Sequence, residues 1–335
     1  MRPAHTDTRP RADRFLSCRS QTAVLFLGAT AALALIMPDA LAGPCTNTAT
    51  AALRACRAEV VDDFQIARGV CINLSDAAER SECLDQAGAE RQEARALCRE
   101  QRDARLDLCE TLGEARYDPD FEPADFVDPL AIGGAVAPNP YFPLIPGTRW
   151  VYEGGDETVT VTVTDKTKLI EGVTCLVVND LVEEDGVAIE DTDDWYAQDL
   201  DGNVWYCGEI ARDFEVFEGD DPEEAELVDI DGSWKAGRDG AQPGIVMLAL
   251  PQVGDVYRQE VALGEAEDAA RVISTTGSAI VPAASCDGDC VVTRDFTPLE
   301  PDANERKFYA PGVGLILEQD LESGDRVELL EFTAP

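Results

Sequence analysis

DWYAQDLDGNVWYCGE, residues 194–209, places two aromatic pairs, Trp195-Tyr196 and Trp205-Tyr206, on either side of an Asp201-Gly202 turn. An Asp-Gly dipeptide between two β-favouring runs is a hairpin signal, because glycine accepts the positive φ that a tight turn needs. Working outward, Thr158 to Thr164 alternates Thr and Val, and Leu176-Val177-Val178 adjoins Cys175. Further strands are expected near 245–249, 255–262, 268–275, 278–281, 290–297, 305–310, 314–320 and 326–332, with Gly, Pro, Asn or Asp in most gaps. No window of helical period follows residue 120. The reading for 149–335 is therefore an acidic, mainly antiparallel β domain: a barrel, half-barrel or sandwich.

The same stretch carries the candidate chemistry. Asp199, Asp201 and Asn203 set oxygen side chains at alternate positions around a glycine, and Glu209 stands near the end of the run. Hard cations take oxygen ligands, so calcium is the candidate ion, although Ile210 occupies the place of the closing Glu of an EF-hand loop. The other reading is a plain hairpin turn. Alternation puts Asp194 and Tyr196 on one face of the strand, with Trp195 and Ala197 on the other. If Asp194, Glu209 and Glu260 converge in one cavity, paired carboxyls could work as acid and base or nucleophile. Trp150, Trp195, Trp205 and Trp234 are either core or a wall for stacking a ligand.

Before the β domain, Cys45, Cys56, Cys71, Cys83, Cys98 and Cys109 are spaced 11, 15, 12, 15 and 11 residues apart. The series is a palindrome. At 100° per residue, 11 residues return a helix almost to the same azimuth and 15 drift it by about 60°, so each set of three lies near one stripe. Ala, Arg, Glu, Gln and Leu dominate the segment, and Asp76 with Glu79 has the spacing of a capping box. The expectation is an antiparallel helical hairpin over 45–116, turning near 72–77. Two antiparallel helices suit only the nested bridges Cys45–Cys109, Cys56–Cys98 and Cys71–Cys83. Its geometry is similar to that of the twin-cysteine helical hairpins of the mitochondrial intermembrane space, which implies no shared activity. In the β domain the remaining cysteines are expected to pair as Cys175–Cys207, across neighbouring strands, and Cys286–Cys290, within a short loop. Between hairpin and β domain, seven prolines over 119–146 read as an extended linker, 117–148.

The first 42 residues read as a signal peptide: arginines up to Arg19, an apolar run Thr22–Met37 shorter than the ~20 residues of a membrane span, and Ala40-Leu41-Ala42 as a cleavage site. A secreted or periplasmic protein with no stable membrane span after cleavage is expected. His5, the only histidine, would leave with that segment, and histidine-based triads and metal sites would leave with it. The ten remaining cysteines, an even number in an exported chain, argue for disulfides. Residues 117–335 hold 12 basic and 49 acidic side chains, a field that repels nucleic acid and attracts cations or basic partners.

Seven ordered strings carry a family resemblance: NPYFPLIPGTRWVY (139–152), EGVTCLVV (171–178), DWYAQD (194–199), GNVWYCGE (202–209), GSWKAGRDGAQPGI (232–245), YRQE (257–260) and TPLEP (297–301). Over 139–330 the chain resembles a family of exported bacterial β-rich proteins. The resemblance implies a shared fold and carries over no catalytic residue. Cys207 departs from it, standing where that family usually has an aromatic. The YFPL–PGT–W opening also looks loosely like half-barrel periplasmic carriers of the lipoprotein-chaperone type. The functional expectation is an exported, non-catalytic binding module whose β domain takes a cation or small ligand. Its partner would be a small molecule or another exported protein. The alternatives are a carboxylate-dependent hydrolase and a half-barrel lipid or lipoprotein carrier.

Overall fold

The computed structural model describes residues 42–335. The expected signal segment, but for Ala42, lies outside them. Two long helices come first, α1 (Pro44–Asn73) and α2 (Ala77–Leu112). Pro44 opens α1, where its missing N–H costs nothing. Asp76 caps α2: its Oδ1 accepts from the backbone N–H groups of Ala78 (2.7 Å) and Glu79 (3.0 Å). Gly113 ends α2 at a φ of 90°, its N–H donating to the Cys109 carbonyl at 2.8 Å.

The disulfides are nested along the helices: Cys45–Cys109, Cys56–Cys98 and Cys71–Cys83, with Cα separations of 5.7, 5.8 and 5.5 Å. The chain divides into two compact units, residues 54–98 and residues 43–53 with 99–335. In the first, two of these bridges join the helices, and the Arg91 guanidinium lies 4.5 Å from the centroid of the Phe64 ring.

The second unit is built on a 15-stranded antiparallel sheet. Its strands are β1 (Arg149–Gly154), β2 (Glu157–Ile170), β3 (Val173–Glu184), β4 (Val187–Gln198), β5 (Val204–Ile210), β6 (Asp213–Val216), β7 (Ala225–Asp229), β8 (Gln242–Met247), β9 (Val256–Arg258), β10 (Glu260–Val261), β11 (Ala269–Ile280), β12 (Ser285–Phe296), β13 (Glu305–Ala310), β14 (Gly314–Asp320) and β15 (Arg326–Thr333). Two-residue turns set the register of the first hairpins. Glu171-Gly172 joins β2 to β3 and Asp185-Gly186 joins β3 to β4, all four residues at positive φ as a type I′ turn requires.

The sheet curls into a nearly closed barrel in the order β10-β8-β5-β4-β3-β2-β1-β15-β14-β13-β12-β11-β9. Its two edges meet at one piece of chain, because β9 pairs with β11 and β10 pairs with β8, with only Gln259 between them. A side chain at Gly244 would overlap the Gln259 carbonyl, so the closure needs glycine there.

Cys175 and Cys207 are bridged with Cα atoms 6.8 Å apart, and Cys286 with Cys290 at 5.6 Å. The first pair joins β3 to β5, on either side of β4, and not adjacent strands. Cys207 is the extra residue of a bulge, since Trp195 faces Gly208 while Tyr196 faces Tyr206. Five disulfides belong to an oxidising, extracytoplasmic setting.

The proline-rich stretch 117–148 is fastened along the barrel. Tyr117 donates its hydroxyl to the Pro243 carbonyl at 2.9 Å, and Phe121 and Phe126 pack on Trp205. The Asn139 carboxamide oxygen accepts from the N–H groups of Tyr141 and Phe142, and its Nδ2 donates to the carbonyls of Gly202 and Leu248. That pin seats Phe142-Pro143-Leu144 against the barrel interior.

Candidate functional site

Alternation along β2 turns Val159, Val161 and Val163 inward, with Glu157 in the same row at the strand's start. Along that row burial rises steadily: Glu157 is exposed, Val159 and Val161 are half-buried, and Val163 is buried. The barrel interior is therefore a cavity open at the Glu157 end. Its volume is about 450 Å³. Phe142, Pro143 and Leu144 line its closed end, and Phe142 meets Tyr196 edge to face at 5.2 Å. Trp150 and Tyr152 reach it from β1, each tied to the barrel by a bond to the backbone, Nε1 to the Val313 carbonyl (2.7 Å) and the hydroxyl to the Leu315 carbonyl (3.0 Å).

Set into these apolar walls are Asp180, Asp194, Asp295, Glu318 and a single cation, Lys307. Lys307 Nζ lies 3.3 Å from Glu318, 3.4 Å from Glu305 and 3.8 Å from Asp295. A quarter of its side chain is solvent-accessible, and Lys307 lines the cavity. Burial works against its charge, but Glu318, Asp295, Tyr309 and Glu305 around it hold its ammonium well above the ordinary lysine range. Burial pushes the Asp295 carboxyl up, opposed by Lys307 and by hydrogen bonds from Thr293 and Gln259. Asp180 is pushed up to about 8 by burial and then by the charges of Asp194, Glu190 and Glu318. Its Oδ1 is buried and meets no hydrogen-bond partner among the described residues.

The three candidate acids are brought into one group. Tyr206 joins the Asp194 carboxyl to Glu209, whose Oε2 is 2.9 Å from the phenol oxygen. Burial raises Asp194 well above the carboxylate range, and Glu209 adds to the effect. Burial lifts Glu209 to about 7 against the Tyr206 hydrogen bond. Glu260 is raised by burial and then by Asp268, Glu209 and Asp194. Only Asp194 of the three lines the cavity; Glu209 and Glu260 stand behind its wall. Trp195 points the other way on β4, with Lys168 Nζ 3.2 Å from its ring centroid.

The Asp199 loop is a hairpin turn that fills its own acceptors. Asp199 Oδ1 accepts from the Asn203 N–H (2.8 Å), and Oδ2 from Asn203 Nδ2 (2.7 Å) and Trp205 Nε1 (2.9 Å). Asp201 is exposed, and Glu209 faces Tyr206 instead of this loop. Among the described residues no group of three or more His, Cys, Asp or Glu is placed to hold a metal ion. Asp180, Asp295, Lys307 and Glu318 were not legible as site residues. Their signal was the inward row on each strand, readable only once the barrel sets which face is inside.

No protein-family model matches the sequence, and no curated protein matches it. Among solved structures the chain is similar to the crystal structure of a candidate lipoprotein from Parabacteroides distasonis. The identity is 12%, with 59% of this chain and 100% of that chain covered and a TM-score of 0.33. At that score the likeness carries no argument about function. Among the described residues no helix is long and apolar enough to cross a membrane.

Proposed function

We propose that the protein is a secreted or periplasmic binding module whose barrel takes the cationic head of a small amphipathic molecule, an organic amine, into its interior. The observation that carries this reading is the charge balance of the cavity. Five carboxyl side chains, Glu157 included, and one ammonium stand among valines and aromatics, and Asp180 Oδ1 is left without a partner. An alkyl chain would lie along the apolar row of Val159, Val161 and Val163. An ammonium at the floor would supply the positive charge that Asp180 and Asp194 lack and the donor that Asp180 Oδ1 lacks. The volume suits a ligand of drug-like size or less. The same cavity is compatible with the coarser reading of a small apolar carrier, which the acidic floor narrows to cationic cargo.

The test is a melting curve with octylammonium, octanoate or octanol. Stabilisation by octylammonium that octanol does not match, lost in Val161→Trp, supports the reading; any effect of octanoate should persist in that variant. Equal stabilisation by octanol, or none by any of the three, overturns it.

The convergence of Asp194, Glu209 and Glu260 favours a second reading, a carboxylate-dependent hydrolase. It requires a second acid to reach the substrate beside Asp194, and Glu209 is engaged by Tyr206 behind the wall. Turnover of glycoside substrates that disappears in Asp194→Asn would establish it.

A further inference from the structure

A second cavity of about 420 Å³ lies where the first turns of α1 and the last turns of α2 meet the barrel segments 240–242 and 258–267. Its charge is opposite to that of the chain around it. The charged groups in its lining are Arg105, Arg116, Arg258 and Glu267, three bases to one acid, whereas over residues 42–335 acids outnumber bases about threefold. Glu267 is fully committed: Arg105 grips it with two bonds, Nε to Oε2 (2.8 Å) and Nη2 to Oε1 (2.6 Å), and the Gly264 N–H adds a third (2.8 Å). That clamp is buried on both sides and neutralises one arginine.

Arg116 and Arg258 remain. Neither has a carboxylate of the described residues within ion-pair distance. Arg258 is half-buried, with the Tyr117 ring 5.9 Å away and the Cys45 Sγ of the Cys45–Cys109 bridge 3.9 Å from its Nη2. Neither contact balances a charge. Burial works against the Arg258 guanidinium, and the nearby Glu267 offsets only part of it. A guanidinium held at a cavity wall without a counter-ion, with a second, exposed one in the same lining, is a fork suited to a planar oxyanion. Val261, Ala262 and Leu263 supply an apolar flank.

We infer that this cavity is an oxyanion site, binding a small organic carboxylate or phosphate between Arg116 and Arg258 with its apolar part against Val261–Leu263. It is separate from the barrel interior and does not depend on what the barrel binds.

The test is calorimetric titration at low salt with two probes, octanoate and inorganic phosphate. Saturable binding of octanoate that weakens about tenfold in Arg258→Gln and in Arg116→Gln supports the site. That binding should also weaken several-fold as salt screens the charges, and persist in Val161→Trp. Phosphate binding with the same dependence on both arginines supports a site for the bare oxyanion. Arg116 is exposed, so its variant tests the site without disturbing the fold. Leu263→Trp, at a side chain 54% exposed, should block octanoate by filling the flank. Failure of both probes to bind at millimolar concentration overturns the inference. So does octanoate binding unchanged in both arginine variants, or lost in Val161→Trp.

Discussion

The carboxyl groups of Asp194 and Glu209 share one phenol oxygen, that of Tyr206. A phenol has a single proton to donate, so one of the two contacts must run the other way, from a protonated acid to the Tyr206 oxygen. The pair therefore keeps at least one proton in the folded protein, in keeping with the raised pKa values of both acids. A neutral Asp194 at the cavity wall is a group that an incoming cation can ionise.

Stability should fall as pH rises. For Glu209 the folded value, about 7, lies above its ordinary 4.5, and for Asp180 about 8 lies above 3.8. Between those limits the native state binds more protons than the unfolded chain, so unfolding becomes easier as pH increases through that range. The melting temperature is expected to be higher at pH 5 than at pH 8 by on the order of 5 °C. Glu209→Gln should flatten the slope, and a curve rising toward pH 8 would contradict the assignment.

Tyr206→Phe removes the shared hydroxyl and leaves two buried acids to find another donor. A loss of about 1–3 kcal/mol in urea unfolding is expected. Because the carboxyl that accepts the Tyr206 proton is held down by that bond, the variant should also titrate at still higher pH.

Lys307→Met would strand Glu318, Glu305 and Asp295 without their cation. A partly buried ion cluster broken on one side costs about 1–3 kcal/mol, and the loss should shrink in acid as the carboxyls take up protons. Denaturant curves at pH 5 and pH 8 check both parts.

Asp199→Ala separates the turn from a calcium loop. With three hydrogen bonds lost, destabilisation of about 1–3 kcal/mol is expected with or without calcium, measured by thermal melting. A calcium-dependent melting temperature in the native protein, abolished by the substitution, would restore the cation reading.

Much of the architecture was legible because its signals are local. The cysteine spacing determines a helical stripe, and Asp76 sits where a cap must. The Thr-Val alternation over 158–164 reads as a strand whatever surrounds it. Strands β6 and β7 carry no such signal, because Asp213–Val216 and Ala225–Asp229 are short, acidic and largely exposed, with no apolar alternation to mark them. The bulge at Cys207 shifts the register by one residue, so the disulfide spans a strand that the spacing alone does not reveal. Asp194, Glu209 and Glu260 could be named as acids beside aromatics. Asp180, Asp295 and Lys307 could not, because a strand with polar residues on both faces does not say which face is inside. Only the closure of the barrel at Gln259 makes that choice.

The central claim, that a cation entering the barrel meets carboxyl groups still holding protons, is tested most directly by the protons released on binding. Calorimetry of octylammonium at pH 7, in two buffers of different ionisation enthalpy, reads that number. The account predicts net proton release in the native protein, reduced in Asp194→Asn, and an affinity that rises with pH through about 8, where Asp180 ionises. Binding of the amine with no proton exchanged in either buffer, and no change of affinity with pH, would contradict it.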